Sequence, residues 1–143
     1  MTVTIRQAVA SDAPAVASLL AQLGYPVDEG AAAARIERHR MSASDVLLVA
    51  EAEGEVAGLA ALHVSLAVEY DGDAGKLSAI VVDERRRGHG IGRALVAAVE
   101  REARARGCVL LFLTAAERRR DAHEFYRALG FEETGRRFAK PLD

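Results

Sequence analysis

The stretch Leu77 to Arg93, L-S-A-I-V-V-D-E-R-R-R-G-H-G-I-G-R, constrains this chain more than any other. Leu77-Ser78-Ala79-Ile80-Val81-Val82 is a short, largely apolar run of the kind a buried strand uses. A charged segment follows, then glycine at every second position (Gly88, Gly90, Gly92), then an apolar helical pattern from Ile91 onward. A strand that runs through a glycine loop into a helix makes an anion site. The first N–H groups of a helix lack internal partners and sit at the positive end of its dipole. Glycine lets the main chain come close to the anion and adopt positive φ. Arg87 and Arg93 flank the loop with fixed positive charge. We read the stretch as a pyrophosphate cradle, the other reading being simple strand–helix punctuation. A dinucleotide fold would need G-x-G-x-x-G, but the residue three after Gly90 is Arg93. A nucleotide-triphosphate loop would need a Gly-Lys-Ser/Thr ending, which the sequence lacks.

At 143 residues the expectation is one domain spanning 1–143. Many of its apolar residues are alanine and few are aromatic, so the core should pack helices tightly against a sheet. The net charge of −2 gives no general attraction for nucleic acid or an anionic membrane surface, and neither is expected as a partner. The single cysteine, Cys108, permits no intramolecular disulfide and fits a reducing compartment. It opens an apolar run, which predicts packing rather than a reactive thiol. Arg6 and Asp12 come early and no long apolar segment precedes them, so neither a signal peptide nor a membrane span is expected, and the expected location is cytoplasmic.

In chain order, Val3–Arg6 alternates as a first strand. Ser11-Asp12 supplies an N-cap, Pro14 suits a first turn, and Val16, Leu19, Leu20 and Leu23 recur at helical spacing until Gly24-Tyr25-Pro26. Asp28 to about Arg40 is a second helix. Val46–Glu51 and Val56–Val64 are strands joined by a hairpin turn at Glu53-Gly54-Glu55. Ser65–Gly75 is a loop carrying Glu69, Tyr70, Asp71 and Asp73, and Leu77–Val82 is the fourth strand. Ile91, Leu95, Val99 and Ala103 mark a third helix ending near Gly107; Val109–Thr114 is a fifth strand. Ala122–Leu129 is a short helix closed by Gly130, and Phe131–Arg137 is expected as a final strand. The order β-α-α-β-β-β-α-β-α-β joins an antiparallel first half to a parallel crossover at the cradle. The expected fold class is α/β with a mixed sheet in three layers.

With the cradle and this order in hand, the chain resembles the GNAT superfamily of N-acetyltransferases over nearly its whole length. The family's loop, Arg/Gln-x-x-Gly-x-Gly/Ala, is matched by Arg87, Gly90 and Gly92; a register from Arg85 with Gly88 and Gly90 also fits, but Arg87 directly precedes the loop. Its second signature is similar to Ala122-His123-Glu124-Phe125-Tyr126-Arg127-Ala128-Leu129-Gly130-Phe131. The resemblance implies a splayed central strand pair and acetyl-coenzyme A as co-substrate, with no metal. By it, Ile80, Val81 and Val82 would contact the pantetheine arm, and Arg87, Gly88, His89, Gly90, Ile91, Gly92 and Arg93 would surround the phosphates. His89, between two glycines, reads as a backbone donor with an exposed ring rather than as a chemical group. The implied reaction is direct transfer to a primary amine of a small molecule or peptide. Homodimers are common in the family; no residue demonstrates one.

The attacking amine must be neutral, although an alkyl amine has a pKa of about 10, so a base is needed. The developing oxyanion wants a donor, for which a strand amide near Val81 is the natural choice. The leaving thiolate wants a proton, and Tyr126 matches the family's tyrosine in that role; its other reading is core packing beside Phe125 and Phe131. The strand position that carries a glutamate in many members is Ser78 here, too weak a base to act alone, which leaves a water relay or help from Glu69. The asparagine that many members place seven residues before the tyrosine is Arg119 here. Glu69, Asp71 and Asp73 either attract a cationic acceptor or form a solvated loop, and Arg118–Arg120 either meets the 3′-phosphate or is a wet turn. His39, His63 and His123 show no metal-ligand spacing. Two rival readings are a catalytically silent acyl-coenzyme A-binding module and an acyltransferase with a different donor.

Overall fold

The computed structural model describes residues 2–114 and 120–142. Five strands form one sheet in the order β1 (Val3–Gln7), β2 (Asp45–Ala52), β3 (Glu55–Ser65), β4 (Asp73–Val82) and β5 (Cys108–Phe112). The first four pair antiparallel, and β4 pairs with β5 in parallel. Helices α1 (Ala13–Leu23) and α2 (Glu29–Arg40) cover one face, and α3 (Ile91–Ala105) with α4 (Arg120–Ala128) cover the other. This is the mixed three-layer α/β fold the pattern predicts.

Strand alternation feeds the two cores. On β2, Val46, Leu48, Ala50 and Ala52 pack beneath α3, while Leu47 and Val49 turn to α1 and α2. On β3, Leu59 joins Val16, Leu19 and Ile36 on the α1–α2 side, and Ala60 and Leu62 join Leu95 and Val99 on the other. Alanine at so many of these positions lets α3 lie close to the sheet. At Gly58 an added Cβ would stand 3.0 Å from Leu95 Cδ1 and 3.1 Å from the Val81 carbonyl oxygen.

The termini of the elements follow their residues. Gly24 ends α1 at φ 108°, and Asp28 caps α2 by accepting from Ala31 N at 2.7 Å. The β2–β3 hairpin turns on Glu53 and Gly54, both at positive φ (54° and 79°), as a two-residue primed turn requires. Asp12 stands at the N-cap of α1 as expected, but its side chain bonds no N–H of that helix. Its carboxylate instead takes Arg6 at 2.8 and 2.9 Å and Val9 N at 2.8 Å, a buried lock between β1 and the turn before α1.

Two expectations fail in the second half. Residues 73–75, expected as loop, belong to β4, as does Lys76. Ala74 and Gly75 are buried, and at Gly75 a Cβ would lie 3.2 Å from Leu62 Cδ1 and 3.3 Å from Cys108 Sγ, so the small residues let this segment lie against β5. Phe131–Arg137 forms no strand. Phe131 folds back edge-on to Tyr126 (5.8 Å), and residues 132–142 run exposed, because Glu132, Glu133, Arg136 and Arg137 supply no alternating apolar face to bury.

Candidate functional site

The site begins where β4 and β5 part. Their ladder holds only from Asp73↔Cys108 to Lys76↔Phe112, because β5 ends at Phe112 while β4 continues to Val82. Residues 77–82 therefore have β3 on one side and, among the described residues, no strand on the other. The register shows which groups this open edge presents. Asp83 N donates to Ala57 O at 2.8 Å, so the hydrogen-bonded pairs with β3 fall on Asp83, Val81 and Ala79. The N–H and C=O of Ile80 and Val82 point the other way, into the gap. Near Val81, then, the amides offered to a guest are those of Ile80 and Val82. Val81 itself turns its side chain into the α1–α2 core, where it is 6% exposed.

Past Val82 the chain enters the cradle, and its three consecutive arginines hold it in three ways. Arg85 pairs with Asp83, Nη2 to Oδ2 at 2.9 Å. Asp83 is buried, and the Arg85 guanidinium and backbone N–H hold its carboxyl below the usual carboxylate range. Arg86 reaches Glu55 (3.1 Å) and Glu53 (3.6 Å), which fastens the loop to the β2–β3 hairpin. Arg87 donates Nε to the Val82 carbonyl at 3.1 Å, and its terminal nitrogens have no partner among the described residues. Of the two registers for the loop motif, the one opening at Arg87 is thus the one whose guanidinium is not neutralised by a carboxylate. Gln22 of α1 adds a fourth tie, accepting from Glu84 N at 2.9 Å.

Gly88 and Gly90 both lie at positive φ (82° and 83°) with open space around a would-be Cβ, so the backbone conformation itself requires glycine. Gly90 caps α3 without any side-chain bond; the first intrahelical bond is Ala94 N to Gly90 O at 3.0 Å. Among the described residues, no backbone N–H from Gly88 to Arg93 has a partner, and residues 87–90 and Arg93 are open to solvent in whole or in part. Ile91 is buried and pins the helix start to the core. At Gly92 a Cβ would meet Phe125 Cζ at 3.2 Å, so this third glycine admits α4 against the first turn of α3. The cradle is a run of backbone donors flanked by Arg87 and Arg93, which no carboxylate among the described residues neutralises. It suits a phosphate-bearing anion, and the β4 edge suits an extended amide-bearing chain attached to it.

The remaining sequence candidates divide. Tyr126 is 9% exposed, edge-on to Phe125 (5.4 Å) and Phe131 (5.8 Å), and Phe125 brings its helix to the cradle. Ser78 occupies a bulge, the extra residue where β3 steps from Ala61 to Leu62, and is exposed; its Oγ donates to Ala61 O at 3.3 Å. Glu69 and Asp71 lie exposed in the loop before β4, and no hydrogen bond joins them to Ser78 among the described residues. Burial pushes the Cys108 thiol up, which disfavours a thiolate nucleophile. Arg118 and Arg119 lie outside the described residues. Among the described residues no three His, Cys, Asp or Glu side chains group so as to hold a metal ion, and no helix is long and apolar enough to cross a membrane.

Sequence spacing missed one pair. His63 is not an isolated strand residue: its Nδ1 lies 2.9 Å from Asp45 Oδ1 on the neighbouring strand. Strand register brings the two together, and only a cross-strand alignment of the hairpin would have revealed it.

Known proteins resemble this chain in sequence and in fold. Residues 14–131 match the model of a family described as the acetyltransferase (GNAT) family. An aminoglycoside N(6′)-acetyltransferase type 1 of Stenotrophomonas maltophilia is 36% identical over 151 aligned positions, 98% of this chain and 94% of that protein. An aminoalkylphosphonate N-acetyltransferase of Salmonella typhimurium is 38% identical over 89 residues, a match that spans 62% of this chain and 58% of that relative. In fold, the chain is similar to a solved aminoglycoside N-acetyltransferase in complex with CoA, with TM-score 0.86 and 24% identity over 99% of this chain and 95% of that one.

Proposed function

The chain belongs to the GNAT acetyltransferase family, and from that premise we propose that it transfers an acetyl group directly from acetyl-coenzyme A to a primary amine of a small molecule or peptide. The observation that carries this reading is the continuity of the open β4 edge with the cradle. Backbone groups of Ile80 and Val82 lead straight to the unpartnered amides between Gly88 and Arg93. A pantetheine arm has amides to pair with such an edge, and a pyrophosphate has the charge for such a cradle. The similar fold that carries CoA supports the same assignment.

In this reading Ile80 and Val82 hold the arm as an added strand, and one of their amides faces the thioester carbonyl where negative charge develops. Gly88, His89, Gly90, Ile91 and Gly92 donate backbone N–H groups to the phosphates, while Arg87 and Arg93 neutralise them. Tyr126 supplies the proton that the departing thiolate takes up. The product is an amide, and the half-buried Cys108 has no covalent part in the reaction. The relatives named for aminoglycoside and aminoalkylphosphonate acetylation support a small cationic amine as acceptor. Ser78, with its proton engaged by Ala61, favours one rival, a silent acyl-coenzyme A-binding module.

Thiol release from acetyl-coenzyme A, followed over a panel of aminoglycosides, aminoalkylphosphonates, polyamines and peptide amines, tests the proposal. Amine-dependent release identifies the enzyme and its acceptor. Donor binding with no release across the panel would favour the silent module.

A further inference from the structure

One row of the sheet crosses four strands at the vertex of the fork. Asp45 of β2 pairs with His63 of β3, His63 with Lys76 of β4, and Lys76 with Phe112 of β5, the last pair before the two central strands separate. Residues directly opposite one another share a face. Leu59 on β3 points to the α1–α2 side, so alternation places His63 on that side too, beyond the reach of the helices: its side chain is 43% exposed.

The imidazole is oriented. Asp45 Oδ1 receives Nδ1 of His63 at 2.9 Å, while Asp45 Oδ2 accepts from Ser44 Oγ at 2.8 Å and Ser42 Oγ at 3.1 Å. Burial acts to raise the Asp45 carboxyl, but the hydrogen bonds from Ser44, His63 and Ser42 outweigh it and hold it below the usual carboxylate range. An ionised carboxylate accepting from Nδ1–H places the imidazole lone pair on Nε2, which has no partner among the described residues. Asp45 and Lys76 are the charged groups that face the ring from the neighbouring strands.

We propose that His63 is the general base of the transfer and Asp45 its positioning residue, an assignment that rests on the acetyltransferase reading above. A donor whose pyrophosphate lies at Gly88–Arg93 and whose arm runs back along Val82 brings its thioester to Ile80 and aims the acetyl group at the fork, where Lys76 lies opposite His63. His63 stands one strand away, about 5 Å in backbone spacing. Nε2 of His63 takes one proton from the acceptor ammonium. The neutral amine nitrogen then attacks the thioester carbon, the C–N bond forms and the C–S bond breaks. The nitrogen gives up a second proton, the thiolate takes one proton to become thiol, and His63 returns its own to solvent. This provides the base that the strand position at Ser78 lacks.

The test is affinity labelling with S-bromoacetyl-coenzyme A, with calorimetric titration of coenzyme A run alongside. Nε2 displaces bromide, a C–N bond replaces C–Br, and the Nδ1 proton passes to solvent. Mass spectrometry of the digested wild-type protein should find the adduct on His63, suppressed by excess coenzyme A. His63→Gln should label at least about tenfold more slowly with coenzyme A affinity unchanged, and Asp45→Asn should slow labelling of His63 by about tenfold, as loss of an orienting partner does. Labelling at another residue, or a wild-type rate in His63→Gln while coenzyme A still binds, overturns the assignment of the base. Failure of the wild-type protein to bind coenzyme A overturns the acetyltransferase reading, and the base with it.

Discussion

Arg87 Nε lies 3.1 Å from the carbonyl oxygen of Val82, so the residue that opens the glycine loop is fastened to the last residue of the open strand edge. One bond ties the two halves of the proposed donor site together. Arg87→Ala should therefore weaken coenzyme A binding by roughly tenfold, the scale of losing one charge-assisted contact to a phosphate. The residue lies at the surface, so thermal stability should stay within about 0.5 kcal/mol of the parent. Calorimetry and thermal unfolding measured on the same preparation check both halves.

Gly90 and Gly92 are required for different reasons, and the difference is measurable. Gly90→Val places a β-branched residue at φ 83° with open space around it, a conformational strain of about 1–3 kcal/mol confined to the loop. Coenzyme A binding should be lost while the fold persists. Gly92→Val drives carbon into Phe125 Cζ, 3.2 Å from the first added atom, and should cost about 1–3 kcal/mol through α3–α4 packing as well as binding. The second change Phe125→Leu, which relieves the clash, should therefore lower the denaturant midpoint less in Gly92→Val than in Gly90→Val, where it only removes packing against Tyr126. Identical responses of the two variants would contradict the distinction.

Tyr126→Phe keeps the ring that meets Phe125 and Phe131 and removes only the hydroxyl. Donor affinity should be unchanged within about twofold, and turnover should fall by about 10²-fold or more if the phenol delivers the proton to the thiolate. An unaltered rate assigns Tyr126 to packing alone. Tyr126→Ala, by contrast, should lose about 3–5 kcal/mol of stability, since this ring is buried in the α3–α4 core.

The Arg6–Asp12 lock makes stability fall in acid. Hydrogen bonds from the Arg6 guanidinium, opposed by burial and aided by Val9 N, hold the Asp12 carboxyl below its ordinary value. A group lowered on folding adds stability that is present above its unfolded pKa of about 4 and is lost as pH falls through the folded value. Asp12→Asn should therefore destabilise the protein by about 1–3 kcal/mol at neutral pH, and the difference between the two proteins should shrink below about pH 4. A constant difference down to pH 2 would contradict the lock.

Much of this site is legible in the sequence itself. The glycine loop, the helix beginning at Ile91 and the apolar strand ahead of them are local patterns, and each lies where its residues place it. What the sequence hides depends on register. That Val81 turns away while Ile80 and Val82 face the gap follows from pairing with β3, a contact between residues some twenty positions apart. The Asp45–His63 pair has the same origin, and the bulge at Ser78 appears only when two strands are aligned. Residues 73–75 resemble a loop because charged and small residues there show no apolar alternation, although Gly75 is small in order to fit against Leu62 and Cys108. The expected strand at Phe131–Arg137 rests on one aromatic residue, which instead folds onto Tyr126.

The β4 edge and the glycine cradle together form the proposed coenzyme A site. Calorimetric titration of the purified protein with coenzyme A and, separately, with acetyl-coenzyme A tests it most directly. One site per chain with a Kd of about 1–100 μM, or −8 to −5.5 kcal/mol, is the expected result for both ligands, weakened in Arg87→Ala and lost in Gly90→Val. No detectable binding of either ligand by the folded wild-type protein at about 1 mM would mean that the cradle and the β4 edge hold no coenzyme A.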